Sequence, residues 1–252
     1  MTHAGFLRQL RDLGVREGAS LLVHSSLKRL GPVEGPGAQS GAGAILGALS
    51  AAVGDSGTLL MPTHTWGTVN AHQPVFDVRR TPSHVGWLSE FFRLQPGVVR
   101  SLHPTHSVAA RGPRAGFFVA GQLDAATPCP PESPYGRLMR NGGQILFLGV
   151  NLGCNTTLHA LEEEAGLPGL FRPEPVTYAI VDEEGVVHER RHARHTDGIP
   201  RHFVDLEHIL HDRGALAYGR TGRGISRLVD AARMRKIALP ILRETPELVC
   251  GW

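Results

Sequence analysis

The stretch QILFLGVNLGCNTTLHALEEEAG, residues 144–166, decides how the chain is read. Its first five residues are an apolar run with no alternation, the pattern of a strand buried on both faces of a sheet. A short glycine-containing loop follows. Then Asn155, Thr156 and Thr157 offer helix caps ahead of a helix that carries His159 and three consecutive glutamates. Glu162 and Glu163 stand three and four residues after His159 and so share its helical face. A buried strand that delivers a polar loop and a capped helix is the repeating unit of an α/β fold.

Working outward, GASLLVHSSL (18–27) and GTLLMPTHTW (57–66) are two more buried strands, each ending in polar residues. Helices are expected over 4–13, over AGAILGALSAAVG (42–54) and over VGWLSEFFRL (85–94). A Gly/Pro-rich loop, GPVEGPGAQSG (31–41), and a loop over 67–83 separate them. GVVRSLHPTHSVAARG (97–112) reads as strand, corner, strand, and the proline-rich TPCPPESP (127–134) as a rigid loop within the core. VTYAIVDEEGVVHERRHAR (176–194) reads as a hairpin, and helical stretches are expected over 200–213 and 222–236. The fold class is α/β: a three-layer αβα core with a mixed sheet, and a smaller C-terminal antiparallel and helical portion. A single domain over 1–252 is expected, with its core at about 1–165 and the hairpin and helices at about 170–252.

Composition narrows the class. Of the residues, 41% are hydrophobic and 19% charged, which suits a soluble globular chain. No apolar run approaches the roughly 20 residues of a membrane span, and the start, MTHAGFLRQLRDLG, is polar rather than a secretory signal. Cys129, Cys154 and Cys250 are scattered and odd in number, which points to reduced thiols in a cytoplasm. The net charge of +3 comes mostly from arginine, without a basic stripe interleaved with aromatics, so no nucleic-acid partner is expected.

Four stretches carry candidate chemistry. GAGAILG (41–47) lacks the spacing of a dinucleotide fingerprint and lies too far from its strand for a tight phosphate turn. His24, Ser25, Ser26 and Leu27 end a buried strand, at the edge where α/β folds bind ligands. Arg100, His103, Pro104, His106 and Ser107 form a second polar corner built to aim side chains. HERRHARHTDGIPRH (188–202) holds His188, His192, His195 and His202, but without a cysteine pair it reads as an exposed hairpin rather than a zinc site. His159 beside its carboxylates reads as a general base with a fixed tautomer. Cys154 is the competing nucleophile, or simply a small apolar residue.

In this order, LLVHSSLKRLG, GTLLMPTHTW, PVFDVRRTPSHVGWLSEFFR, RSLHPTHSVAARGP and SPYGRLMRNGGQILFLGVNLGCNTTLHALEE resemble the aminoglycoside 3-N-acetyltransferases, over residues 5–165 well and more loosely beyond. The resemblance implies acetyl-CoA as co-substrate, a small-molecule amine as acceptor, and direct transfer without an acyl-enzyme. It implies that His159 is the catalytic histidine, that Glu162 is its acidic neighbour, and that Asp77 faces the acceptor. It further implies that Ser25, Ser26 and Ser107 hold the cofactor. An acidic patch of Asp77, Glu162, Glu163 and Asp197 is expected to hold the acceptor's ammonium groups, and Arg100 to meet coenzyme A phosphates. In the segment 194–198, where the family is often acidic, only Asp197 is so. Backbone N–H groups around Ser25–Leu27 are the expected oxyanion donors. No metal is expected, and the chain is expected to act as a monomer or homodimer. Alternatives are the same chemistry on another amine (an amino sugar, a nucleotide-linked amine or a natural-product intermediate) and a non-catalytic or metal-stabilised binding protein.

Overall fold

The computed structural model describes residues 1–35 and 41–251; residues 36–40 of the glycine/proline loop expected over 31–41 lie outside the described residues. Three parallel strands form the centre of the main sheet: β1 (Ser20–Ser25), β2 (Thr58–Pro62) and β6 (Gln144–Leu148). Antiparallel strands flank them. On one side lie β4 (Val99–Arg100) and β5 (Val108–Arg111), on the other β9 (Leu216–Thr221) and β10 (Gly224–Asp230). The order is β4-β5-β2-β1-β6-β10-β9.

Side-chain alternation divides the central strands between two cores. Leu21 and Val23 of β1, with Leu146 and Leu148 of β6, face one layer. That layer holds α1 (His3–Leu13), α3 (Ala42–Val53) and α4 (Trp87–Arg93). Leu22, Ile145 and Phe147 face the other. It holds α5 (Ala115–Val119), α6 (Pro134–Arg140), α7 (Thr156–Ala165), α8 (Leu206–Asp212) and α9 (Ala231–Glu244). The result is the expected three-layer αβα arrangement with a mixed sheet. The short α2 (Leu27–Leu30) follows β1 directly.

The expected hairpin forms as β7 (Val176–Val181) and β8 (Val187–His192). It recruits β3 (Val75–Asp77), a strand inside the expected loop 67–83, into a three-stranded sheet around Phe76, Tyr178 and Ile180. One expectation fails: 222–236 is not a helix throughout. Residues 224–230 are β10, and α9 starts at Ala231, where the Asp230 side chain accepts the Arg233 N–H as a cap. The apolar residues of ISRLVD, Ile225, Leu228 and Val229, are spaced three and four apart as on a helix, and the available edge of β6 selects the strand. Two helices, α5 and α6, also lie in stretches where none was expected. No helix among the described residues is long and apolar enough to cross a membrane.

Candidate active site

The three parallel strands end on one side of the sheet, and a cleft of about 550 Å³ opens there. Its floor comes from the strand ends: His24 and Ser25 close β1, Pro62 closes β2 with His64 just beyond it, and Val150 follows β6. This is the crevice where open α/β sheets hold ligands.

The loop after β6 turns at Gly149, whose φ of 66° lies in the left-handed region. A Cβ there would stand 3.0 Å from Arg29 Cβ, so both conformation and space call for glycine. Asn155 then caps α7, its side chain accepting the Thr157 N–H, and Gly166 closes the helix with φ 71°. His159 and Glu162 fall one turn apart on this helix. His159 Nδ1–H donates to Glu162 Oε2 at 2.5 Å, which leaves Nε2 as the nitrogen carrying a lone pair.

Glu162 is fully buried, and its other oxygen accepts from Arg201 Nε at 3.1 Å and from the Cys250 thiol at 3.2 Å. Burial alone would raise its pKa. The His159 hydrogen bond and charge, then Arg201 and Cys250, outweigh burial and hold the carboxyl at about 2. The Cys250 thiol is pushed up to about 12 by burial and by Glu162, so it remains a donor.

Other histidines also line the cleft. Burial lowers His24 to about 3 and His64 and His106 well below the usual range, so all three are neutral at pH 7. His24 lies flat on Phe147, with ring centroids 5.1 Å apart, and its buried Nε2 has no hydrogen-bond partner among the described residues. His64 Nε2 is 2.5 Å from the Tyr135 hydroxyl. Cys154 is exposed at the rim. Partial desolvation there raises its thiol pKa against the pull of Arg29, so it is not a ready thiolate.

Of the expected site residues, His24, Ser25, His159 and Asp197 line the cleft, whereas Ser26 and Leu27 are half-buried beside it. The Ser26 N–H donates to Leu148 O, which removes it from the expected oxyanion donors. Four expectations need correction. Ser107 is buried, its hydroxyl donating to Thr63 O and accepting from Arg100 Nε, so it offers no cofactor contact. Arg100 is buried as well, with its guanidinium bonded to Thr63, Ser107, Val78 O and Thr81 O, and it is not free for phosphates. Asp77 lies outside the cleft walls and accepts the Arg79 and Arg80 N–H groups of a turn. Glu163 accepts from Thr127, Cys129 N–H and His195, and with Glu162 it turns away from any acceptor.

The acidic patch therefore reduces to Asp197, which is itself paired with Arg172. Arg194 lines the same wall with no ion-pair partner among the described residues. Sequence reasoning missed His64 and Arg201. His64 carried the same signal as His24, a histidine just past a buried strand, whereas Arg201 had no local signal at all. Among the described residues no group of three or more His, Cys, Asp or Glu side chains is placed to hold a metal.

A crevice at the carboxyl ends of parallel strands, lined by an imidazole bonded to a buried carboxylate, is the arrangement of an α/β enzyme. The Aminoglycoside 3-N-acetyltransferase family profile matches residues 22–243. Aminoglycoside N(3)-acetyltransferase IV of Salmonella sp is 39% identical over 246 residues, covering 96% of this chain and 88% of that one. The crystal structure of a histidine-to-alanine mutant of aminoglycoside acetyltransferase AAC(3)-IVa in complex with a gentamicin superposes with a TM-score of 0.83 at 31% identity, covering 98% of this chain and 90% of that one. The structure of AAC-IIIb as a binary complex with CoASH superposes with a TM-score of 0.82 at 28% identity, covering 97% of each. The chain belongs to the aminoglycoside 3-N-acetyltransferase family.

Proposed function

We propose that the chain transfers the acetyl group of acetyl-CoA directly to an amino group of an aminoglycoside, the 3-amino group by family likeness, with His159 as general base. The observation that carries this reading is the 2.5 Å bond from His159 Nδ1 to a buried, ionised Glu162, with Nε2 left for the cleft. A protonated amine must lose a proton to attack a thioester, and an imidazole of fixed tautomer is suited to take it. The CoASH complex of AAC-IIIb and the gentamicin complex of AAC(3)-IVa support the two substrates. The Ser25 hydroxyl would meet the pantetheine end of the coenzyme, with His24 buried beneath it, and the Leu27 N–H, at the start of α2, the carbonyl oxygen. Direct transfer is favoured over an acyl-enzyme because the Cys154 thiol is held protonated.

His159→Ala tests this. Release of coenzyme A thiol should fall roughly 10²-fold or more, with acetyl-CoA affinity by calorimetry nearly unchanged. Turnover near the wild-type level would refute the role.

One observation favours a second acceptor class. Glu162 and Glu163 are bonded internally, Asp77 caps a turn, and Asp197 faces Arg172, so little carboxylate remains for several ammonium groups. An amine of low positive charge, such as an amino sugar with one amino group, fits that wall. A panel of acceptors graded by amine number separates the two readings.

A further inference from the structure

Helix α7 carries two carboxylates in succession, and each holds an imidazole. Glu163 follows Glu162 and points about 100° further round the helix. It accepts the His195 Nε2–H at 2.8 Å, the Thr127 hydroxyl at 2.6 Å and the Cys129 N–H at 2.7 Å. Three donors from two separate loops fix this carboxylate, and its bond to Nε2 leaves the lone pair of His195 on Nδ1. Nδ1 has no hydrogen-bond partner among the described residues and is not sealed from solvent. Phe171 stacks against His195 at 5.6 Å, and His106 stands 5.6 Å away at a steep angle, so the ring is held on two sides. The His195 and His159 centroids are 5.2 Å apart, and both rings line the cleft.

The reaction has more protons to move than one base handles. An acceptor bound as an ammonium loses two on becoming an amide. One ends on the coenzyme's sulfur and one in solvent.

We infer that His195, oriented by Glu163, is a second proton-transfer residue of the cleft, an assignment that rests on reading the site as an acetyl-CoA-dependent N-acetyltransferase. The bound ammonium gives its first proton to His195 Nδ1. Its freed lone pair forms the N–C bond at the acetyl carbonyl, and His159 Nε2 takes the second proton. The C–S bond then breaks with its electron pair on sulfur, which receives the proton from His159. His195 discharges its proton to solvent through the cleft. Ammonium and thioester thus become amide, thiol and one released proton.

The surroundings of His195 suit that task. Burial lowers its pKa, Glu163 opposes burial, and positive charge on His159 lowers it further while Glu162 raises it. His106 and His103, which face it from the proline corner, are kept neutral by burial. Neighbouring Arg194 and the Asp197–Arg172 pair complete its charged surroundings. His195 therefore stands neutral at pH 7, with a carboxylate behind it to stabilise the imidazolium it becomes.

The experiment compares wild type with His195→Gln, following coenzyme A thiol release from acetyl-CoA and an aminoglycoside across pH. Glutamine keeps an amide donor for Glu163 but has no titratable nitrogen. The expected result is a loss in kcat of roughly tenfold or more with KM for acetyl-CoA within about twofold. Toward alkaline pH the variant's log kcat should keep rising, because the ammonium must then lose its first proton to solvent, whereas wild type levels off at lower pH. A variant with wild-type kcat overturns the assignment, as does a variant whose kcat levels off at the same pH as wild type. If wild type releases no coenzyme A with any amine, it is the reading of the site as an acetyltransferase that fails.

Discussion

Glu162 links catalysis to stability. Its carboxyl is held at about 2 in the folded chain against an ordinary 4.5, so the folded state prefers the ionised form. A depressed carboxylate contributes stability that is complete above about 4.5 and is lost as pH falls toward 2, here about 3 kcal/mol. Urea denaturation from pH 7 to pH 2 should show this loss in wild type and a flatter acid limb in Glu162→Gln. Arg194 acts instead on substrate choice. Among the described residues it is a cleft-wall cation without an ion-pair partner, and Arg194→Glu should lower KM for amine-rich aminoglycosides by roughly fivefold or more, as a repulsive contact becomes an attractive one. An unchanged KM across a set of two- to five-amine acceptors would count against that. His159 and Glu162 were legible in the sequence because a pair three apart on a capped helix is a local fact. The destinations of the other carboxylates were not. Which donors reach Glu163 is settled by Thr127 and Cys129, and the second oxygen of Glu162 by Arg201 and Cys250, all remote in the chain.

At the scale of elements, α7 aims the proposed base, His159. Asn155 both caps it and lies against the Met234 sulfur of α9, so Asn155→Ala should cost about 1 kcal/mol of stability by the lost cap. It should also lower kcat more than KM for acetyl-CoA, because the first turn holds His159 over the cleft. Equal kcat in variant and wild type would show that the turn is positioned by packing alone. The buried strands β1, β2 and β6 were readable because runs covered on both faces need no long-range information. The segment 222–236 was not, because Ile225, Leu228 and Val229 carry helical spacing and only the remote partner strand β6 makes 224–230 a strand. Strand β3 escaped for the same reason: three residues become a strand only because β7 offers them an edge.

The whole molecule carries a net charge of +3, and carboxylates near the cleft are mostly paired. Steering of a cationic acceptor by the protein's field is therefore weak. Raising ionic strength from about 20 to about 200 mM should change kcat/KM for the amine less than roughly threefold. A steep salt dependence would reveal an acidic approach path outside the cleft. The position of β6 has another consequence. It is paired on one side by β1, made early, and on the other only by β10, made late. While the ribosome is still adding residues short of 224, β6 presents an open, apolar edge to every neighbouring nascent chain. Arg201, which steadies Glu162, has by then been synthesised, so the dyad's parts exist before the sheet that supports them is closed. Chains stopped near residue 222 should appear in inclusion bodies, whereas full-length chains stay in solution, and their capture by chaperones during synthesis should end as β10 emerges.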